Sequence, residues 1–265
     1  MTGGGEGGTP PACEGGLFLL TDLFLKGRLR HDLDDAEKRA LDEAVSGTIE
    51  VPARTRIVAR GDRLDRSYYV VEGAVLRHLD DRRGERQLVG VNIAGDFVDL
   101  HGYPMKRLDH SISTLTATTL ATVPHAAITA LVAAHPHLAR ALWFSTLLDA
   151  AMHREWIFRL GRLNAEGRIA HLICELLDRL RFVDLFDGRV LTVPLLQRDY
   201  AEACGITPVH ANRSFRILKD RGLLSPLGDG QLDIHDEAGL REVAQFDASY
   251  LYGEGDLAPG ALDDA

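Results

Sequence analysis

Asn212, Arg213 and Arg216 are the residues whose types and spacing carry the most chemistry in this chain. An arginine can donate two parallel hydrogen bonds to guanine O6 and N7, and an asparagine can bond an adenine edge in the same two-pronged way. These residues lie in a segment, 208–219, whose Ala211, Phe215 and Leu218 recur at helical spacing and form an apolar stripe. Val209, Asn212, Arg213 and Arg216 then fall on the other side, free to enter a groove. Thr207 suits the cap of this helix and Pro208 its first turn, where no backbone donor is lost.

The neighbouring elements must hold that helix in place. Upstream, a short helix is predicted over 197–204 with Tyr200, Ala201 and Ala203 turned inward, and Gly205-Ile206 makes a tight turn. Downstream, Gly222 stops the helix, and strands are predicted over 223–227 and 231–235 around a Gly228-Asp229-Gly230 turn. Helix, turn, helix and hairpin together read as a winged helix-turn-helix, a unit that docks on duplex DNA. Charge supports this locally. The whole chain carries a net −9, yet between 207 and 221 the basic Arg213, Arg216, Lys219 and Arg221 face only Asp220, a local +3. A basic strip on an acidic body favours groove-specific docking and repels loose binding elsewhere.

At 265 residues, with 45% hydrophobic and 26% charged residues, the chain has room for two domains with their own cores. Residues 1–16 and 251–265 read as tails, the second acidic. Residues 17–134 read as a sensor domain. An apolar patch at 17–25 is followed by a short helix from Asp34, with Glu37 as capping partner. Strands are expected at 56–59, 68–72, 74–79, 86–93 and 114–123, a spacing that suggests a small antiparallel barrel or roll. Helices are expected over 126–134 and, from Pro136, unbroken to Leu163, about 40 Å at ~1.5 Å per residue. Leu138, Leu142, Met152, Trp156 and Leu163 mark one apolar face of this long helix; Phe144, Leu148, Ala151 and Phe158 mark a second, suited to a partner helix. Gly161, Asn164 and Gly167 read as a hinge closing 135–164, and 165–250 as the DNA-binding domain, with a helix over 168–180 and a short strand over 190–193. No apolar run reaches the ~20 residues of a spanning helix and the N-terminus lacks a signal-peptide pattern, so no membrane contact and a cytoplasmic location are expected. Cys13, Cys174 and Cys204 form no disulfide framework or cluster motif, and the latter two read as buried, inert thiols.

The order of these parts resembles the Crp/Fnr family of bacterial transcription regulators over about 47–235. The likeness is strongest in Glu166-Gly167-Arg168-Ile169-Ala170 and in 201–224, and weaker at Gly61-Asp62, 69–73 and Gly95-Asp96. The resemblance implies an α+β fold: an N-terminal antiparallel β-roll of cyclic-nucleotide-binding type, a long dimerisation helix and a C-terminal winged helix-turn-helix. It further implies a homodimer on a two-fold symmetric double-stranded DNA operator, and contact with RNA polymerase if the protein activates. By position, the family's base-reading slots fall on Pro208, Val209, Asn212 and Arg213; phosphate-facing slots fall on Gln197, Arg198, Thr207, His210 and Arg216, to which the basic Lys219 is added. Many relatives place glutamate where Val209 stands, so the half-site should differ, and Leu196 replaces the usual Ser/Thr cap of the first helix.

The sensor half departs from the family's pattern. Cyclic-nucleotide members hold the ribose with a glutamate after a glycine and the cyclic phosphate with an arginine before a small residue. Here Gly95 precedes Asp96, one methylene shorter, and the arginine slot holds His110-Ser111, after Arg107. A histidine, mostly neutral at pH 7, does not replace a two-pronged permanent cation. His153 and Arg154 occupy the long helix where a base would be met. Asp96, His101, Arg107, His110, Ser111, His153 and Arg154 are thus the candidate pocket of an effector other than cyclic AMP, or of none. No cofactor and no metal site are expected; an iron–sulfur cluster lacks its thiolates, while haem stays open through His101, His110, His135 or His137.

Two other functions compete with this one. A cupin-like metalloenzyme needs several histidines and a carboxylate on facing strands, whereas only His78 lies inside a candidate strand, with Arg77 and Asp80 not completing a site. A small-ligand sensor acting through protein contacts has no use for the basic helix and its wing. No nucleophile-base set or phosphate loop is present, so no enzyme is expected.

Overall fold

The computed structural model describes residues 19–28 and 33–252. The expected tail at 1–16, with Cys13, and residues 253–265 of the tail expected over 251–265 lie outside the described residues; Leu251, expected in that tail, is instead buried at the end of a 3-10 turn. The first helix, α1 (Asp35–Glu43), starts as its sequence dictates: Asp34 accepts from the backbone N–H of Ala36 and Glu37, and the Glu37 carboxylate accepts from Asp34 N–H. Strands β1 (Gly47–Val51), β2 (Arg56–Val58), β3 (Arg66–Glu72), β4 (Ala74–Asp80) and β5 (Arg86–Ile93) follow, then the short α2 (Gly102–Met105), β6 (Ser111–Thr114) and β7 (Thr118–Pro124). They form two antiparallel sheets, β1-β7-β3 and β2-β6-β4-β5. Between them lie Val58, Val70, Val75, Val98, Leu108, Ile112 and Leu120, the filling of a small roll.

Two expectations change here. The single strand expected over 114–123 is two strands in different sheets, parted by a corner at Leu115–Ala117 where Leu115 N–H donates to Ala74 O. The run of threonines and β-branched residues holds no glycine or proline to mark that corner. Strand β1, which the residue pattern did not single out, pairs with β7 from Gly47 opposite Thr122 to Val51 opposite Thr118.

Helix α3 (His125–Ala134) leads to α4 (Pro136–Arg162), 27 residues long with its proline in the first turn. Leu138, Leu142, Met152, Trp156 and Leu163 are buried as expected. The second face is different. Leu148 is buried too, and the large apolar side chains left open are Trp143 (64% exposed), Leu147 (47%), Ile157 (71%) and Phe158 (40%). The hinge is also narrower than expected: Gly161 lies within α4, the chain breaks at Leu163, and Asn164 caps α5 (Ala165–Phe182) by accepting from Gly167 N–H at 2.9 Å.

The remaining elements are β8 (Val190–Leu191), α6 (Gln197–Cys204), α7 (Pro208–Asp220), β9 (Leu224–Gly228), β10 (Gln231–Ile234), α8 (Glu237–Ala244), which the residue pattern did not single out, and a 3-10 turn at Ala248–Leu251. The three short strands form one sheet, β8-β10-β9, which is the wing. One apolar core runs from Leu76, Leu88 and Val91 of the roll through Trp156 to α5, α6 and α7, so the two halves share buried surface. No described helix is long and apolar enough to cross a membrane.

Candidate nucleic-acid interface and effector cavity

Helix α7 is set in place by its inner face. Ala211, Phe215 and Leu218 are buried, Phe215 meets the Tyr200 ring of α6 edge-on at 4.9 Å, and Ser214 donates to Glu166 of α5. The turn between the helices forms as the sequence predicts: Gly205 ends α6 at φ +60, and Thr207 Oγ1 accepts from His210 N–H at 3.2 Å. Leu196 supplies no side-chain cap to α6; instead Asp199 accepts from Leu196 N–H at 2.8 Å. Pro208, Val209, Asn212, Arg213 and Arg216 are all exposed, as are Gln197, Arg198, Thr207, His210 and Lys219. Asn212 donates its amide to Gln197 Oε1 at 3.0 Å, which joins the start of α6 to the outer face of α7. Beside it the wing turns at Asp229 and Gly230, both left-handed; a Cβ at Gly230 would lie 2.6 Å from the Pro194 carbonyl carbon, so only glycine fits there.

The second site lies between the roll and α4. A cavity of about 460 Å³ is walled by Arg77, Leu79 and Val89 of the β4–β5 hairpin, by His101, Met105, Asp109 and His110 of the loop around α2, and by Thr146, Asp149, Ala150 and His153 of α4. Arg77 reaches it over Gly90, where a Cβ would lie 2.6 Å from Arg77 Nε. Its guanidinium grips Asp149 with both terminal nitrogens. Burial pushes the Asp149 carboxyl up, but Arg77 outweighs it and holds the group well below the usual carboxylate range. His101 is pushed down to about 4 by burial, with Arg77 adding repulsion. Burial, then Arg77, lowers His110 against the opposing pull of Asp109. Both rings are therefore neutral at pH 7.

The chain matches two domain families: the cyclic nucleotide-binding domain over residues 48–135 and the Crp-like helix-turn-helix domain over 167–243. It is 26% identical over 219 residues to the transcriptional activator protein FnrL of Cereibacter sphaeroides, covering 81% of this chain and 87% of that one. It is 24% identical over 214 residues to the nitrogen fixation regulation protein FixK of Azorhizobium caulinodans, covering 79% and 84%. Among solved structures, FixK2 of Bradyrhizobium japonicum superimposes with a TM-score of 0.68 at 20% identity, covering 79% of this chain and 98% of that one. This chain belongs to the Crp/Fnr family.

Of the candidate Crp/Fnr pocket residues, the fold brings His101, His110 and His153 to one cavity. The others point elsewhere. Asp96 turns toward the DNA-binding half: it accepts from Arg179 of α5 at 2.5 Å and from Ile93 N–H at 2.9 Å, with Arg28 at 3.6 Å. Arg107 is exposed and donates to Gly61 O; Ser111 Oγ is buried and accepts from Arg60 N–H; Arg154 is exposed on α4. The four histidines weighed for haem do not converge either, since His137 pairs with Glu37 of α1 at 2.7 Å and His135 precedes α4. Residue types alone missed Arg77, Asp109 and Asp149. Arg77 carried a readable signal, an arginine inside an apolar strand opposite a glycine. His78 is structural, between Asp80 and Ser113 Oγ at 3.2 and 3.0 Å. Cys174 and Cys204 are buried, their thiols pushed up to about 12 and 11.

Proposed function

We propose that this Crp/Fnr regulator acts in the cytoplasm as a homodimer that reads a two-fold symmetric operator with α7 in successive major grooves. The observation that carries the reading is the outer face of α7: Val209, Asn212, Arg213 and Arg216 all exposed, with the helix fixed from behind by Phe215 and Leu218. Arg213 takes a guanine and Asn212 an adenine, Val209 lies against a thymine methyl, and Pro208 sets the helix entry. Gln197, Arg198, Thr207, His210, Arg216 and Lys219 meet phosphates and set register.

Dimerisation is supported by the open face of α4. Trp143, Leu147, Ala150, Arg154, Ile157 and Gly161 follow one another at alternating steps of four and three residues, the spacing of a two-helix seam. Cyclic AMP does not suit the cavity: Asp96 is taken up by Arg179, and Arg77 by Asp149. The reading is of a regulator with another effector or none, not of an enzyme, and of polymerase contact where it activates. Selection of bound duplexes from a random pool, followed by light scattering on the complex, tests it. A palindromic half-site pair bound by two chains is expected; a strictly monomeric protein, or one that enriches no duplex, overturns it.

A further inference from the structure

Three side chains at the cavity floor converge without a common partner. His101, Asp109 and His110 can each bring one ligand atom to within 4.8 Å of the other two. The His101 and His110 rings lie 5.2 Å apart, tilted by 38°. His110 is 6% exposed, and its Nδ1–H donates to Asp109 Oδ1 at 2.8 Å. That bond fixes the tautomer and leaves a lone pair on Nε2, which is buried and has no hydrogen-bond partner among the described residues. A buried polar atom without a partner costs free energy, so this ring is a poor structural histidine. His101 stands at the start of α2 but makes no side-chain capping bond to it.

The loop that carries the three is held from below. Leu64 N–H donates to Lys106 O, Gly61 N–H to Leu108 O and Leu108 N–H to Asp62 O, and Arg107 ties to Gly61 O. Lys106 closes α2 in the left-handed region at φ +63. The donors are thus presented by a braced backbone, as a binding constellation requires.

We propose that His101, Asp109 and His110 form a site for a divalent first-row transition-metal ion. The two imidazoles supply nitrogen donors; Asp109 orients the His110 ring and balances one charge of the ion, a carboxylate–histidine–metal relay. Nitrogen donors select zinc, ferrous, cobalt or nickel ions over magnesium and calcium, which prefer all-oxygen shells. The nearby cation Arg77 repels positive charge at both rings, and its partner Asp149 offsets that repulsion in part, with the Asp109 carboxylate adding to the offset. The open coordination positions face the cavity and the α4 wall that bears Thr146 and His153. An ion seated there meets the helix whose outer side forms the proposed dimer seam. Only this regulatory consequence rests on the regulator reading; ion binding is independent of it.

The test uses untagged full-length protein, stripped with a chelator, dialysed and titrated with Zn2+ in a calorimeter, without DNA. Co2+ absorption serves as a coordination probe and Mg2+ as the comparison. One Zn2+ per chain is expected, with a Co2+ spectrum that reports nitrogen ligation. His101→Gln and His110→Gln should each weaken binding at least about tenfold, as should Asp109→Asn, while His235→Gln leaves it unchanged. If His110→Gln fails to fold, the half-buried His101 and the exposed Asp109 carry the result. A wild-type chain that takes up no stoichiometric Zn2+, or His101→Gln and Asp109→Asn chains that melt normally and bind as the wild type does, overturns the site. DNA selection on the same stripped protein is a separate readout, so failure of the ion site and failure of operator reading are told apart.

Discussion

Val209 is 81% exposed, the most open large apolar side chain on the described surface, and it stands one turn before Arg213. A valine in that place contributes little to stability and is suited to a thymine methyl. On the proposed reading, Arg213 supplies the directional contact. Arg213→Ala should remove discrimination of about 1–3 kcal/mol at one base pair while leaving weak, salt-sensitive binding. Titration against selected and scrambled duplexes checks this, and unchanged selectivity removes the assignment. Arg216→Ala should instead weaken binding to both duplexes alike and reduce the salt slope by about 1. His171 gives a second prediction at this scale, one of stability. It is buried beneath Phe246 and Tyr250, and burial, then Arg159, pushes its ring down to about 4, against Glu175; Glu155 faces its Nε2 at 3.8 Å. The unfolded ring, near 6.5, therefore binds a proton that the folded ring refuses, and stability falls as pH drops from about 6.5 to 4. His171→Leu should flatten that limb by up to about 1.4 kcal/mol per pH unit, read from urea melts at pH 7 and pH 4.5.

At the scale of elements, the sequence was most legible where one face alone is buried. Helices α6 and α7 show a single apolar stripe, and their bounds, caps and outer residues follow from it. Helix α4 is harder because it buries residues in more than one direction. Leu138, Leu142, Met152, Trp156 and Leu163 were readable as core, but Leu148 joins them, and the open face passes instead through Trp143, Leu147 and Ile157. Apolar residues around most of a helix leave the pattern without a unique phase. The cavity was half legible for a related reason. His101 and His110 share one loop and could be read together, whereas Asp149 and Arg77 come from elements 72 residues apart whose meeting only the fold decides. Asp96 was misplaced because a carboxylate after a glycine says nothing of which domain it faces. The α4 seam makes its own prediction. Leu147→Glu with Ile157→Glu puts like charges on both helices of the proposed pair, and should give a folded monomer by light scattering. Operator affinity should then drop by well over about tenfold, since each half-site is held alone.

The whole molecule is held by a junction between its two halves, part apolar and part ionic. Asp199, fully buried near the start of α6, accepts from Arg54 of the roll at 2.7 and 2.8 Å, from Arg86 at 3.1 Å and from its own Leu196 N–H. Arg86 also reaches Glu202 at 2.6 Å, and Arg179 of α5 reaches back to Asp96. Arg54 makes its contact from a left-handed backbone, φ +59, an uncommon place for a side chain with a Cβ. Removing Arg54 and Arg86 together leaves the Asp199 carboxylate buried with a backbone N–H as its remaining donor. Loss of both partners from a buried charge costs about 3–5 kcal/mol, whereas Asp199→Asn in the same background removes the charge and should recover part of that loss. The shared core through Trp156 predicts one cooperative calorimetric transition for the native chain. In Arg54→Ala/Arg86→Ala the roll and the helix-turn-helix should melt in two steps, the second half released first, because the apolar contact then acts without its ionic clamp. A single unshifted transition in the double variant would mean that the apolar surface alone couples the halves, and that these arginines serve neither stability nor the orientation of α6 and α7 toward DNA.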